Sequence, residues 1–118
     1  MSIPKFKYNH ETDRIERLSD SGLVIASYQL RSVRHGEQVA SIQYKGRTTT
    51  INRLKVQAVE QGLLPPEEVI GSKKGRGGYW CKWINTPDRG KIMPYLFKGT
   101  ELVGMIDYEF NPYKTETK

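Results

Sequence analysis

The chain has one cysteine, two histidines and no long apolar run, and each scarcity removes a class of protein. With Cys81 alone no intrachain disulfide can form, which fits a reducing, cytoplasmic setting. His10 and His35 fall in no ligand spacing and no zinc pattern exists, so both are read as surface residues and neither a metal nor a cofactor is expected. No apolar stretch approaches the ~18 residues of a membrane helix. The opening Ser2, Ile3, Pro4, Lys5, Phe6, Lys7 lacks the apolar core of a secretion signal, so a soluble chain without membrane contact is expected. Gly71, Gly75, Gly77 and Gly78 do not make a phosphate-binding loop, because no lysine followed by Ser or Thr closes the run.

What the chain has is positive charge, and it is unevenly placed. The net charge over 118 residues is +6. Arg31, Arg34, Lys45, Arg47, Arg53 and Lys55 face one acid, Glu37, in their stretch of chain; Lys73, Lys74, Arg76, Lys82, Arg89 and Lys91 face one acid, Asp88, in theirs. The remaining acids collect elsewhere, around Glu11 to Asp20, Glu60 to Glu68 and Asp107 to Glu116. Such segregation predicts a cationic face able to meet phosphates, and the alternative is that these side chains only solvate strands and turns.

The pattern is that of an α+β protein with small, mostly antiparallel sheets and one principal helix. Phe6 and Tyr8, then Ile15 and Leu18 beyond a polar turn at Asn9 to Asp13, read as a hairpin, with a third strand at Leu23 to Ala26. Val39, Ile42 and Tyr44 lead through Lys45 and Gly46 to the β-branched Thr48, Thr49, Thr50, a second hairpin. A helix is predicted from a cap at Thr50 to Asn52 as far as Gln61, with Gly62 as a left-handed stop. Ile51, Leu54 and Ala58 form its apolar stripe, and Val56, Val59 and Leu63 widen it. Arg53 and Lys55 near its start predict either a docked phosphate or, for Arg53, a pair with a neighbouring acid.

Residues 1–70 therefore read as one lobe, 71–78 as a basic glycine-rich joint, and 79–118 as a three-stranded aromatic sheet with a polar tail. The sheet strands are predicted at Tyr79 to Ile84, Lys91 to Phe97 and Glu101 to Phe110. Pro94 weakens the middle one unless a bulge accommodates it. Eight of the twelve aromatics lie between Tyr79 and Tyr113, and most are expected in a core shared with the helix, the alternative being a stacking platform.

Two resemblances follow from these residues. Phe6, Lys7, Tyr8, Asn9, His10, Glu11, Thr12, Asp13 resembles the opening of small phage-encoded HNH endonucleases. The run Ile42 to Arg47 through Ile51, Asn52, Arg53, Leu54 resembles their hairpin-to-helix segment, and Leu63 to Pro66 stands where they carry a Trp-Pro pair. The likeness spans roughly residues 5 to 70. Asn52 replaces the family's usual histidine, and Glu67 to Lys74 stands where its metal-binding and catalytic residues would be, so nuclease activity is not implied. Arg76, Gly77, Gly78, Tyr79, Trp80, then Lys98, Gly99, then Leu102 to Asp107 resemble the DNA-binding sheet of ethylene-response factors, which lies in the major groove. The arginines of that sheet's reading face are thin here.

The expectation is thus a non-catalytic nucleic-acid-binding protein of phage type acting in a bacterial cytoplasm, with DNA as partner and RNA as second choice. Phosphate contacts are predicted from Arg31, Arg34, Lys45, Arg47, Arg53, Lys73, Lys74 and Arg76, with Trp80, Lys82, Trp83, Arg89 and Lys91 near the groove or strand. The alternative is a phage inhibitor using the same surface to grip a host protein such as a defence complex or RNA polymerase.

Overall fold

The computed structural model describes residues 4–33, 37–70, 78–86 and 90–112. Their strands form three separate antiparallel sheets of three strands each, disposed around one α-helix, which is the expected α+β class.

In the first sheet β1 (Lys5–Asn9), β2 (Arg14–Leu18) and β3 (Val24–Gln29) run in chain order. The Asn9 side-chain oxygen accepts from the backbone N–H groups of Glu11 and Thr12, and the Tyr8 hydroxyl donates to the Asp13 carboxylate, so the turn is closed by its own polar residues. The third strand begins one residue later than expected and runs further.

In the second sheet β4 (Arg31–Ser32) and β6 (Arg47–Asn52) flank β5 (Gln38–Tyr44). Lys45 and Gly46 have φ of 51° and 74°, a turn of the type whose twist suits a two-residue hairpin. The register pairs Ala40 with Ile51 and Ile42 with Thr49 on the core side. It leaves Arg31, Val39, Ser41, Gln43, Thr48, Thr50 and Asn52 on the other.

The helix α1 (Arg53–Glu60) follows β6 without a loop. Asn52 caps it, its side-chain oxygen accepting from the Leu54 N–H at 2.8 Å. Gly62 turns the chain out at φ 76°, and the Leu63 N–H returns to the Ala58 carbonyl at 2.8 Å. The helix serves two cores at once. Val56 packs with Phe6, Tyr8, Ile15, Ala40, Ile42 and Ile51, while Leu54 and Ala58 pack with Leu64, Leu96 and Ile106.

The third sheet is β7 (Tyr79–Thr86), β8 (Lys91–Lys98) and β9 (Glu101–Met105), with β8 central. Its last strand stops at Met105 rather than at Phe110, because the following residues leave the sheet and lie along α1. Pro94 sits inside β8 without a bulge of its own; the irregularity falls between Leu96 and Phe97. The Pro94 carbonyl accepts from the Ile106 N–H at 2.9 Å, so this residue's hydrogen-bonding side faces away from β7. Its missing donor therefore forfeits nothing on the β7 side, and only a reciprocal bond where β9 departs.

The aromatics of this half correct the sequence expectation. Of the seven described between Tyr79 and Phe110, none is fully buried; the buried aromatics are Phe6 and Tyr8 in the other half. Tyr79 and Tyr108 line the core by Leu96 only as partly buried neighbours.

Candidate nucleic-acid interface

Strand alternation divides the third sheet into two unlike faces. Tyr79, Cys81 and Trp83 on β7 share a face with Leu96 and Pro94, and this face covers α1. The opposite, outer face is read row by row from the register. Trp80, Phe97 and Leu102 make one row, and Lys82, Tyr95 and Met105 the next. Ile84 pairs with Met93 in the third, and Lys91 ends the face. Trp80 stacks on Phe97 with ring centroids 4.5 Å apart and planes 14° from parallel. Its indole N–H donates to the Gly99 carbonyl at 2.7 Å, which fixes the ring while 42 % of the residue stays exposed. Leu102 beside it is 58 % exposed.

The predicted site residues thus separate. Trp80, Lys82 and Lys91 share the outer face. Trp83 lies on the inner face, edge-on to Tyr108 at 5.4 Å, across the sheet from Trp80 and Lys82. Arg31 stands on the solvent side of the second sheet, donating to the Ser41 hydroxyl at 3.3 Å. Lys45 and Arg47 occupy the tip of the β5–β6 hairpin, both exposed, with the Lys45 ammonium 5.3 Å from the Tyr44 ring centre. That tip is about 17 Å along β5 from Val39, at the ~3.3 Å rise of a strand. Arg34, Lys73, Lys74, Arg76 and Arg89, with His35, lie outside the described residues.

Arg53 has a different task from the one predicted. Its guanidinium donates to the Gln57 side chain at 3.2 Å, the Gln38 side chain at 2.6 Å and the Tyr108 carbonyl at 3.4 Å, and it lies 4.2 Å from the Tyr8 ring centre. It pairs with no acid among the described residues, and its donors are engaged in holding α1, β5 and the carboxy-terminal segment together. Gln57 and Gln61 extend the same stripe at four-residue spacing. Gln57 donates to the Tyr108 carbonyl at 2.6 Å; Gln61 donates to the Asp107 carbonyl at 2.6 Å and accepts from the Asp107 N–H at 2.9 Å.

An open cleft lies where β7 meets the solvent side of the second sheet. Val39, Thr50, Asn52, Lys55, Val69, Tyr79, Trp80 and Cys81 line it, with Glu37. Burial pushes the partly buried Cys81 thiol up to about 12, outweighing the nearby Lys55 ammonium, so the thiol is protonated at neutral pH. His10 is half-buried instead of standing in solvent, edge-on to Tyr8 at 4.7 Å, and desolvation holds its imidazole below the ordinary range.

Sequence reasoning missed Tyr95, Phe97 and Leu102 as surface-forming residues. The first two were signalled by the alternation through β8, where Met93, Tyr95 and Phe97 share one parity. Among the described residues no three His, Cys, Asp or Glu side chains gather as a metal site, and no helix is long and apolar enough to cross a membrane. Comparison of the chain with family models, with curated proteins and with solved structures finds no match.

Proposed function

We propose that this chain is a non-catalytic nucleic-acid-binding protein that meets the phosphates of DNA, or of RNA as second choice, through its exposed cations. The observation that supports this most is how few of those cations carboxylates neutralise. Lys7 lies 3.9 Å from Glu16, and that pair includes none of the cations proposed to meet phosphate. Arg31 and Lys45 meet a hydroxyl and an aromatic ring, and Arg47 and Lys82 are exposed with no acid in ion-pair range among the described residues. Cations left open in this way, on a chain of net charge +6, keep their charge for a polyanion. The proposal places a degenerate HNH-like scaffold, of phage type, in a bacterial cytoplasm, with the nuclease segment absent and the aromatic sheet retained.

The test is binding of a fluorescent duplex by anisotropy at two salt concentrations. With several phosphate contacts, affinity should fall roughly tenfold or more over a few-fold rise in salt. Binding that ignores salt, or no binding at low salt, overturns the reading.

One observation favours the alternative, an inhibitor gripping a host protein. Leu23, Val24 and Ile25 are 68 %, 51 % and 61 % exposed at the start of β3, an edge strand of the first sheet. An uncharged apolar run on a sheet edge is the surface a protein partner would cover. Under that reading, a pull-down from host lysate returns one stoichiometric protein, and Ile25→Lys abolishes it.

A further inference from the structure

We infer that the outer face of β7, β8 and β9 is a platform on which the unstacked bases of a single-stranded nucleic acid lie. This rests on the nucleic-acid reading above and narrows it to a form of ligand and a surface.

The chemistry of the face selects the ligand. The residues of this face described as not buried are Trp80, Lys82, Ile84, Lys91, Tyr95, Phe97, Leu102 and Met105, which include two cations and no carboxylate; Met93, of the same parity, is buried. They also include no arginine, asparagine or glutamine, the side chains that read base edges by paired hydrogen bonds in a major groove. A face with only two lysines for base edges is ill suited to reading a duplex groove, whereas flat apolar surfaces beside lysines suit base faces and the phosphates joining them. Trp80, Tyr95, Phe97 and Leu102 belong to neither core cluster.

Spacing gives a second, independent reason. Rows on one face of a strand recur about every 6.6 Å. Bases in one strand of a duplex recur about every 3.4 Å. Adjacent bases engaging the Trp80–Phe97 row and the Lys82–Tyr95 row must therefore be unstacked, and in a duplex the base faces are covered by their stacked neighbours, so a single strand presents them. Trp80 offers one ring face, its other being against Phe97, and Lys82 lies one row away from it to meet the connecting phosphate.

The test uses the full chain with Trp83→Phe, so that Trp80 is its one tryptophan. Its emission is titrated with oligo-dU, oligo-rU and a blunt duplex of equal phosphate number at one salt concentration. Quenching by either single strand, at roughly tenfold or more tighter affinity than the duplex, is expected, and the stronger of the two identifies the sugar. Trp80→Ala, followed by anisotropy of the labelled strand, should weaken single-strand binding about tenfold while leaving duplex binding unchanged. Should that variant lose its circular-dichroism spectrum, Lys82→Glu at an exposed position is expected to act in the same direction. Duplex binding as tight as single-strand binding, or indifference of the single strand to both substitutions, overturns the platform while the phosphate reading stands. Failure of all three ligands at low salt overturns both.

Discussion

The side-chain amide of Gln57 donates to the backbone carbonyl of Tyr108 across 2.6 Å, tying the middle of α1 to a segment fifty-one residues later. Gln57 is completely buried, and its oxygen accepts from the Arg53 guanidinium, so both ends of the amide are used. Replacing it with leucine keeps the bulk but strands the Tyr108 carbonyl with one long bond from Arg53 and leaves an Arg53 N–H without its acceptor. Gln57→Leu is expected to lower unfolding free energy by about 1–3 kcal/mol, the cost of buried polar groups left unpaired. Urea denaturation measures it. A loss near zero would show that the stripe of Arg53, Gln57 and Gln61 does not hold the third sheet to the helix.

His10 gives the fold a pH dependence with a definite sign. Desolvation is the main cause of its lowered pKa; a backbone hydrogen bond with Phe110 opposes the shift and the Arg53 charge adds to it. Its Nε2 is buried with no hydrogen-bond partner among the described residues, so a proton placed there has no acceptor. A base whose folded pKa lies below its unfolded value near 6.5 stabilises the fold fully above that pH, and the contribution is lost as pH falls through the folded value. The urea midpoint should therefore decline on acidification below about 6.5. His10→Phe should flatten that decline; an unchanged slope in the variant assigns it to other groups.

Much of this architecture was legible in local chemistry. The cap within Thr50 to Asn52, Gly62 as stop and Lys45-Gly46 as hairpin turn are determined by side chains acting on their own backbone; the structure settles the cap on Asn52, with Thr50 and Ile51 in β6, and places the other two where the sequence implied. The Pro94 strand was harder to judge, because whether a proline fits depends on which side of the strand its nitrogen faces, and that is set by pairing rather than by composition. The partners of Arg53 were hidden for a similar reason. Its charge and its place in the first turn of α1 are local facts, but the carbonyl and amides that occupy it come from β5 and from Tyr108, brought near only by the tertiary fold. The aromatics were assigned mainly to a core because their number was visible while their parity on β7 and β8 needed a register.

Cys81 should behave as a buried thiol. With its pKa raised to about 12, the thiolate is scarce at neutral pH, and its partly buried position against the Leu96 core further slows access. Reaction with an aromatic disulfide reagent at pH about 8 should be at least a hundredfold slower in the folded protein than in urea, following the loss of thiolate. Stoichiometric labelling within the mixing time under native conditions would mean that β7 does not stay packed on α1.

The β5–β6 turn allows charge and stability to be moved in opposite directions. Lys45 holds a φ of 51°, a conformation that costs a side chain with a long stem and suits asparagine, and Gly46 follows at 74°. Lys45→Asn is therefore expected to raise unfolding free energy by about 0.5–1 kcal/mol, seen as a higher denaturation midpoint. The same change deletes one exposed cation. If that ammonium meets a phosphate, affinity for nucleic acid falls alike for every sequence, and the slope of log affinity against log salt becomes shallower by about one. Gly46→Ala reverses the first effect without the second: the added Cβ meets no neighbouring atom within 4 Å, so its cost is backbone strain alone, and the charge is untouched. A Lys45→Asn protein that is more stable and binds less, beside a Gly46→Ala protein that is less stable and binds as before, assigns the hairpin tip to phosphate contact. Equal binding by both variants removes Lys45 from the interface and confines it to the outer face of the third sheet and to Arg31.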